Sequence, residues 1–162
     1  VIFTARRLGA PDFDPQPKWK ALTAATKSAK SQLFLLLPET FMNKSGAAVA
    51  EALRSLKVKP DHLIIVHDDV DLLLGSTKLS YGKNSGGHKG VESVMRALKT
   101  KKFWRMRIGV QKKRRVPGED LVLQKLKGDD SVIAKKMVAK TLKAIEIIAA
   151  LGPERAMNAY NQ

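Results

Sequence analysis

The chain has 162 residues, a net charge of +15, a sequence pI near 10.2 and no cysteine. This length suits one domain that buries a core of its own, and the lack of cysteine excludes a disulfide framework. Apolar runs such as residues 33–37 are far too short to span a bilayer, and no secretory signal pattern is visible. We therefore expect a soluble, cytoplasmic protein that does not insert into membranes.

The positive charge is concentrated in one part of the chain. Residues 81–115 contain twelve Lys or Arg and a single acid, Glu92, so eleven of the fifteen net charges fall there. A basic surface that served only solubility would be spread more evenly, whereas clustered cations are typical of a protein that binds a polyanion. We therefore expect a nucleic acid as the binding partner.

The first elements of the chain are predicted from breakers and apolar runs. Residues 1–8 have the pattern of a helix end that closes at Gly9, so we expect the chain to be truncated at its start. An irregular, proline-containing loop follows over residues 10–18. Residues 19–28 and 32–37 are extended segments, and the second suits an interior strand because it is almost continuously apolar.

A helix is predicted next. Alanine, valine and leucine recur at helical spacing over residues 47–56, and residues 41–46 open this helix. The pattern alone leaves two roles open for Asn43, since it could serve only as the helix N-cap or act as a functional amide.

The stretch from residue 63 to residue 90 is the centre of the functional prediction. Residues 63–66 are typical of a buried strand, and the acidic cluster at residues 67–71 follows where this strand is predicted to stop. We expect Asp68 at a ligand-binding edge, because ligands of open α/β sheets bind at the carboxyl ends of strands. A glycine turn then opens an amphipathic helix over residues 88–98, whose free N–H groups favour an anion.

The second half of the chain continues the alternation of strands and helices. Residues 75–81 are a further predicted strand, and residues 104–110 alternate so that Arg105 and Arg107 share one face. A basic turn or loop is predicted over residues 111–118.

A long helix after residues 129–131 ends at Gly152, and a last helical turn or two covers residues 154–160. The predicted fold is α/β, a single three-layer domain with a mixed central sheet and helices on both faces. Its functional edge is expected where the residue 63 strand, Asn43 and Arg107 end.

The three histidines have different predicted roles. His62 lies in a predicted turn and is expected to be solvated, whereas His67 follows a buried strand and is expected to pack or hydrogen-bond rather than act as a base. Asp68 is better placed to face a cleft. No two histidines have metal-ligand spacing, so we expect no zinc site and no cofactor. A hydrolase of this composition would need a water activated by a base that an acid orients.

Four short motifs follow one another along the chain. They are Phe41-Met42-Asn43-x-Ser45-Gly46, His67-Asp68-Asp69-Val70-Asp71-Leu72, Gly86-Gly87-His88-x-Gly90 and Arg105-x-Arg107-Ile108-Gly109-Val110. In this order they resemble the motifs of bacterial-type peptidyl-tRNA hydrolase, and the resemblance covers nearly the whole chain. It implies a monomeric α/β enzyme that cleaves the ester between peptide and tRNA and recycles tRNA from aborted translation.

The resemblance also implies roles for individual residues. Asp68 would orient the catalytic histidine, and Asn43 would hydrogen-bond near the scissile ester and the attacking water. His88 would line the cleft for the peptide and the tRNA acceptor end. A guanidinium suits phosphate through bidentate contacts. The residues that would bind substrate are Met42, His88, Lys89, Arg107, Lys112 and Lys113.

The chain departs from the family pattern in three places. The family's catalytic histidine and a further active-site asparagine lie in Gly-Asn-Pro-Gly and Thr-Arg-His-Asn segments, and nothing in this sequence matches them. The chain as printed is therefore expected to lack the first strand, the first loop and the start of the first helix. We expect it to bind peptidyl-tRNA without hydrolysing the ester. Lys89 stands where the family usually has asparagine. Residues 80–85 stand where the family has a glycine-rich segment that contains a phosphate-binding lysine. Lys78 and Lys83 are candidates to substitute for that lysine.

Two other functions stay open from the sequence. One is a non-catalytic RNA-binding protein of the same fold, as in related plant organelle splicing factors, which Lys89 and the cations of residues 99–102 favour slightly. The other is a basic α/β domain with no tRNA role. A histidine after Thr-Arg upstream of the printed sequence would favour the enzyme.

Overall fold

The computed structural model describes residue 6 and residues 9–28, 31–112 and 128–161. The strands within these residues are β1 (Asp14–Gln16), β2 (Ala21–Ser28), β3 (Ser31–Pro38), β4 (Ile64–Leu73), β5 (Thr77–Tyr81) and β6 (Trp104–Gln111). The helices are α1 (Ser45–Leu56), α2 (Lys89–Leu98), α3 (Asp129–Leu151) and α4 (Pro153–Tyr160). Short 3-10 turns cover Pro17–Trp19, Met42–Lys44 and Pro60–His62. No helix of the described ranges combines the length and apolar character needed to cross a membrane.

The chain divides into two compact units, and the first consists of Val1–Ile65 and Tyr81–Trp104. Strands β1, β2 and β3 form an antiparallel sheet in it, with β2 and β3 paired from Ala21 opposite Pro38 to Ser28 opposite Ser31. Helices α1 and α2 pack together. The buried centre of this core is Val49, Val91, Val94 and Phe103, with Leu36, Leu53, Leu63, Ile65, Met95 and Leu98 packed around it.

The second unit consists of Val66–Ser80 and Arg105–Gln162. Its strands are ordered β4, β6, β5, so β6 is central. The turn after β4 is held on β6, because Leu74 N–H donates to the Gln111 carbonyl at 2.8 Å. Asn161, after α4, occupies a position on β5 like that of a neighbouring strand. Its amide accepts from Leu79 N–H at 2.8 Å and donates to the Leu79 carbonyl at 2.7 Å.

The α/β class is confirmed, and most predicted elements lie where the sequence placed them. The alternation over residues 104–110 is β6, and the two last predicted helices are α3 and α4. The loop predicted over residues 10–18 contains the short strand β1, which its sequence pattern does not predict. Gly9 has φ +65°, as a helix C-cap requires. The predicted helix end before it falls almost entirely outside the described residues, and the single-domain arrangement stays a prediction.

The predicted end of the residue 63 strand is wrong. Strand β4 continues to Leu73, so Asp68 and the other acids of the cluster lie inside the strand and not at its tip. The strand tolerates them because its side chains alternate between two faces. His67 and Asp69 are buried on one face. Asp69 pairs there with Arg107, and His67 Nδ1–H donates to the Asp68 carbonyl, so each side chain has a polar partner.

Candidate functional site

The first motif forms the 3-10 turn Met42–Lys44 and the start of α1. Lys44 N–H donates to the Phe41 carbonyl at 2.8 Å, and Ser45 Oγ donates to the Met42 carbonyl at 2.9 Å. The residue at the N-cap position of α1 is Lys44, so the interpretation of Asn43 as an N-cap is wrong. Asn43 is exposed, and its amide makes no hydrogen bond to another residue of the described ranges. The local fold therefore leaves this amide available for a ligand.

The third motif forms the start of α2. His88 is its N-cap, and His88 Nδ1 accepts hydrogen bonds from the backbone N–H groups of Gly90 and Val91, each at 3.2 Å. An accepting Nδ1 carries a lone pair, so the proton of the neutral ring lies on Nε2. The predicted helix start at His88 is therefore one residue early. His88 satisfies two of the N–H groups that every helix start leaves unpaired.

Two glycines bring these motifs together in the first unit. Gly46 N–H donates to Ser93 Oγ at 3.0 Å, and a Cβ at Gly46 would overlap the Ser93 carbonyl. A Cβ at Gly90 would lie 2.5 Å from Met42 Sδ and 3.0 Å from His88 Cε1. Glycine therefore allows α1 and α2 to approach closely, which places Met42 beside His88.

Lys89 is the first residue of α2 and is exposed. A cation there is unfavourable for the helix dipole, whose positive end lies at the N-terminus. The helix therefore gains nothing from this lysine.

The second motif lies on β4 in the second unit. Asp68 is half-buried, and alternation places it on the opposite face of the strand from His67 and Asp69. His67 is 7% exposed, and its Nδ1–H donates to the Asp68 carbonyl at 2.6 Å. The prediction that His67 is packed and hydrogen-bonded is confirmed, as is the solvated position of His62 in its 3-10 turn.

The acid that pairs with Arg107 is Asp69, a residue for which the sequence pattern predicts no role. Arg107 Nε–H donates to Asp69 Oδ2 at 2.5 Å, and Asp71 N–H donates to Asp69 Oδ1 at 3.0 Å. Burial by itself raises the pKa of Asp69, but these hydrogen bonds and the arginine charge outweigh it and hold the pKa below its ordinary value. Asp69 is therefore an ionised carboxylate inside the sheet.

Arg105 completes this group of charges. It lies two residues before Arg107 on β6 and is 3% exposed. Burial and the like charge of Arg107 lower its pKa, while the Asp69 charge opposes that change. Alternation predicted that both arginines share one face of β6. The same alternation, applied to a strand β4 that continues through His67, Asp69 and Asp71, could have indicated Asp69 as their partner.

The predicted phosphate lysines have different outcomes. Lys112 Nζ lies 3.5 Å from Asp130 Oδ2 in the first turn of α3, and both side chains are partly exposed. Such an exposed pair contributes about 0 to 1 kcal/mol, so it leaves Lys112 able to exchange partners. Lys113 lies outside the described residues. The exposed Phe41, which carries Lys44 Nζ 5.9 Å from its ring centre, was not singled out from the sequence.

These features define a basic α/β protein whose site motifs lie in two groups, one in each unit. A family model described as peptidyl-tRNA hydrolase matches residues 4–162. The chain is 34% identical over 153 residues to a peptidyl-tRNA hydrolase of Desulfitobacterium hafniense, covering 93% of this chain and 82% of that protein. It is 37% identical over 147 residues to the one of Caldicellulosiruptor saccharolyticus, covering 89% and 76%. The chain therefore belongs to the peptidyl-tRNA hydrolase family, as its four motifs predict.

Solved structures agree with this assignment. The crystal structure of peptidyl-tRNA hydrolase from Acinetobacter baumannii superposes with a TM-score of 0.88 at 25% sequence identity, covering 98% of this chain and 81% of that one.

Proposed function

We propose that this protein hydrolyses the ester bond between peptide and tRNA in peptidyl-tRNA, and that Asp68 and Asn43 serve the reaction. Family membership and fold support the reaction, since the chain matches the family over residues 4–162. In this proposal the protein acts as a cytoplasmic monomer on the acceptor stem and 3′ end of tRNA, and it returns the tRNA to translation.

The observation that carries the site assignment is the state of Asn43. An asparagine at the start of a helix usually caps it with its side chain. The N-cap residue of α1 is Lys44, however, and Asn43 is exposed. An uncommitted amide offers both a donor and an acceptor, which suits it to hold a water and an ester carbonyl. Met42 and His88, packed against Gly90 beside this turn, are the proposed neighbours of the substrate.

The general base in this proposal is the histidine of the family's Thr-Arg-His-Asn segment, which the printed sequence does not contain. Asp68 holds its imidazole in one orientation and stabilises the imidazolium that forms when the water is deprotonated. Arg107, Lys112 and Lys113 are proposed to hold tRNA phosphate, and Lys89 to add a cation beside the substrate.

The test is peptide release from N-acetyl-aminoacyl-tRNA by the chain joined to the family's amino-terminal segment. Asp68→Asn should lower kcat by about a hundredfold or more while the Kd for tRNA changes little, because orientation and charge of the base are lost and binding groups are kept. Asp61→Asn, which removes an exposed acid from the 3-10 turn Pro60–His62, is the matched control. Unchanged turnover in Asp68→Asn would refute the role of Asp68, and tRNA binding without release in the joined chain would point to a non-catalytic RNA-binding protein.

A further inference from the structure

We propose that Asp69 is a positioning residue that holds the Arg107 guanidinium in the orientation in which it receives a tRNA phosphate. This inference rests on the proposed function, in which Arg107 contacts phosphate. It assigns a role to a buried acid that is adjacent to the proposed catalytic aspartate and faces the other side of the strand.

The carboxylate of Asp69 is held at both oxygens. Oδ1 accepts the Asp71 backbone N–H at 3.0 Å, which ties the side chain to its own strand, and Oδ2 accepts Arg107 Nε–H at 2.5 Å. Asp69 is 7% exposed. A carboxylate with one oxygen fixed by backbone and the other by a guanidinium has little freedom to rotate, so it acts as a rigid support.

The contact leaves the phosphate-binding capacity of Arg107 intact. A guanidinium is planar and carries N–H donors on Nε and on both terminal nitrogens. Asp69 takes the Nε donor, and the side chain of Arg107 keeps 20% of its surface exposed. Fixing the plane before phosphate arrives reduces the conformational entropy that binding must remove.

Electrostatics alone do not explain an acid at this position. A carboxylate beside a phosphate-binding arginine repels the ligand and has to be desolvated. Arg105, 3% exposed on the same face of β6, shares the Asp69 charge and leaves the group of three with a net positive charge. The negative charge of Asp69 is thus compensated within the sheet, and its effect on the ligand site is to fix the orientation of Arg107.

The experiment measures the Kd of the printed chain for deacylated tRNA over a range of salt concentrations. Four proteins are compared, namely wild type, Asp69→Asn, Arg107→Ala and the double variant. Asp61→Asn, which removes one exposed acid from the 3-10 turn Pro60–His62, serves as the matched control. We expect Asp69→Asn to weaken binding about tenfold and to reduce the salt slope by about one, as loss of one phosphate contact does, although the variant has gained positive charge. The double variant should bind like Arg107→Ala, and Asp61→Asn should bind like wild type or more tightly.

The outcomes separate the two proposals. If Arg107→Ala weakens binding and Asp69→Asn binds as tightly as wild type with an unchanged slope, the positioning role is overturned and the phosphate contact stands. If Arg107→Ala itself has no effect, the proposed phosphate contact and the positioning role both fail.

A second measurement uses the wild-type chain, in case Asp69→Asn does not fold. The Nε–H signal of Arg107 in a proton–nitrogen NMR spectrum should be protected from exchange and should keep its position as tRNA is added, while the terminal N–H signals shift. Displacement of the Nε–H signal by tRNA would show that phosphate replaces Asp69, which overturns the proposal.

Discussion

Asp68 and Asp69 are neighbours in the chain with opposite surroundings. Asp69 lies among Arg105, Arg107 and the Asp71 backbone, whereas Asp68 faces the other side of β4 and is half-buried. Because strand side chains alternate, a shift of one residue exchanges an ion-paired acid for one that faces the opposite surface. The chemical roles proposed for the two acids follow from this alternation and not from their identical side chains.

The ion pair of Asp69 should make the stability of the second unit sensitive to acid. A carboxylate whose pKa is lowered on folding stabilises the protein above its ordinary pKa, and this contribution disappears as the pH falls through the lowered folded value. Asp69→Asn should lower the free energy of unfolding by about 1 to 3 kcal/mol at neutral pH and flatten the loss of stability in the acid range below the ordinary pKa. Urea unfolding at a series of pH values measures both effects. Asp61→Asn, which removes an exposed acid of the first unit, should change neither. An acid transition equal to wild type in Asp69→Asn would contradict the assignment.

Helix α2 shows how an element positions a site residue. Its start is held by the His88 imidazole and its packing by glycines at positions 46 and 90. The histidine that the motif suggests for substrate binding therefore also has a structural role, and the two roles use different ring nitrogens. Nδ1 accepts from the backbone N–H groups of the helix, and the proton of the neutral ring lies on Nε2.

Substitutions at His88 should separate its two roles. His88→Ala removes the cap and should lower the free energy of unfolding by about 1 kcal/mol, whereas His88→Asn restores a capping oxygen and should keep most of that stability. Thermal or urea unfolding gives the stability. Peptide release by the chain joined to the family's amino-terminal segment gives the activity. If His88→Asn is stable and has lost activity, the imidazole acts on substrate. Equal stability of His88→Ala and wild type would show that the cap contributes nothing.

On the scale of the whole molecule, charge is the dominant property. The net charge is +15, and eleven of these charges fall in residues 81–115, so the protein as a whole attracts a polyanion. The proposed phosphate contacts involve only a few of these cations. Long-range attraction therefore speeds association, and the local contacts determine where tRNA binds.

Binding to tRNA should therefore weaken steeply with salt. With about three phosphates neutralised, affinity should fall roughly fortyfold between 50 and 200 mM salt, because the contacts release condensed counterions. Arg107→Ala combined with Lys113→Ala should reduce the salt slope by about two. The matched control is Lys27→Ala combined with Lys59→Ala, which removes two exposed lysines outside the proposed contacts and should leave the slope nearly unchanged. Equal slopes for the two double variants would place the contacts elsewhere.

The sequence by itself determined the family, the α/β class and most of the elements. Its four ordered motifs, the alternation of β6 and the apolar spacing of α3 are local patterns that need no knowledge of neighbours. The burial of His67 also followed from its place after an apolar run. The helix at residue 88 was predicted one residue early, because an N-cap lies outside the helical backbone conformation and its apolar pattern does not mark it.

Only the tertiary structure decided which side chains meet. Strand register and helix packing decided three features. Strand β4 continues through its acids, Asp69 and not Asp68 pairs with Arg107, and Lys44 instead of Asn43 takes the N-cap position of α1. These relations join residues far apart in the chain, such as Gly46 with Ser93. Periodicity shows which residues share a face, but the partner across that face is set by packing between elements.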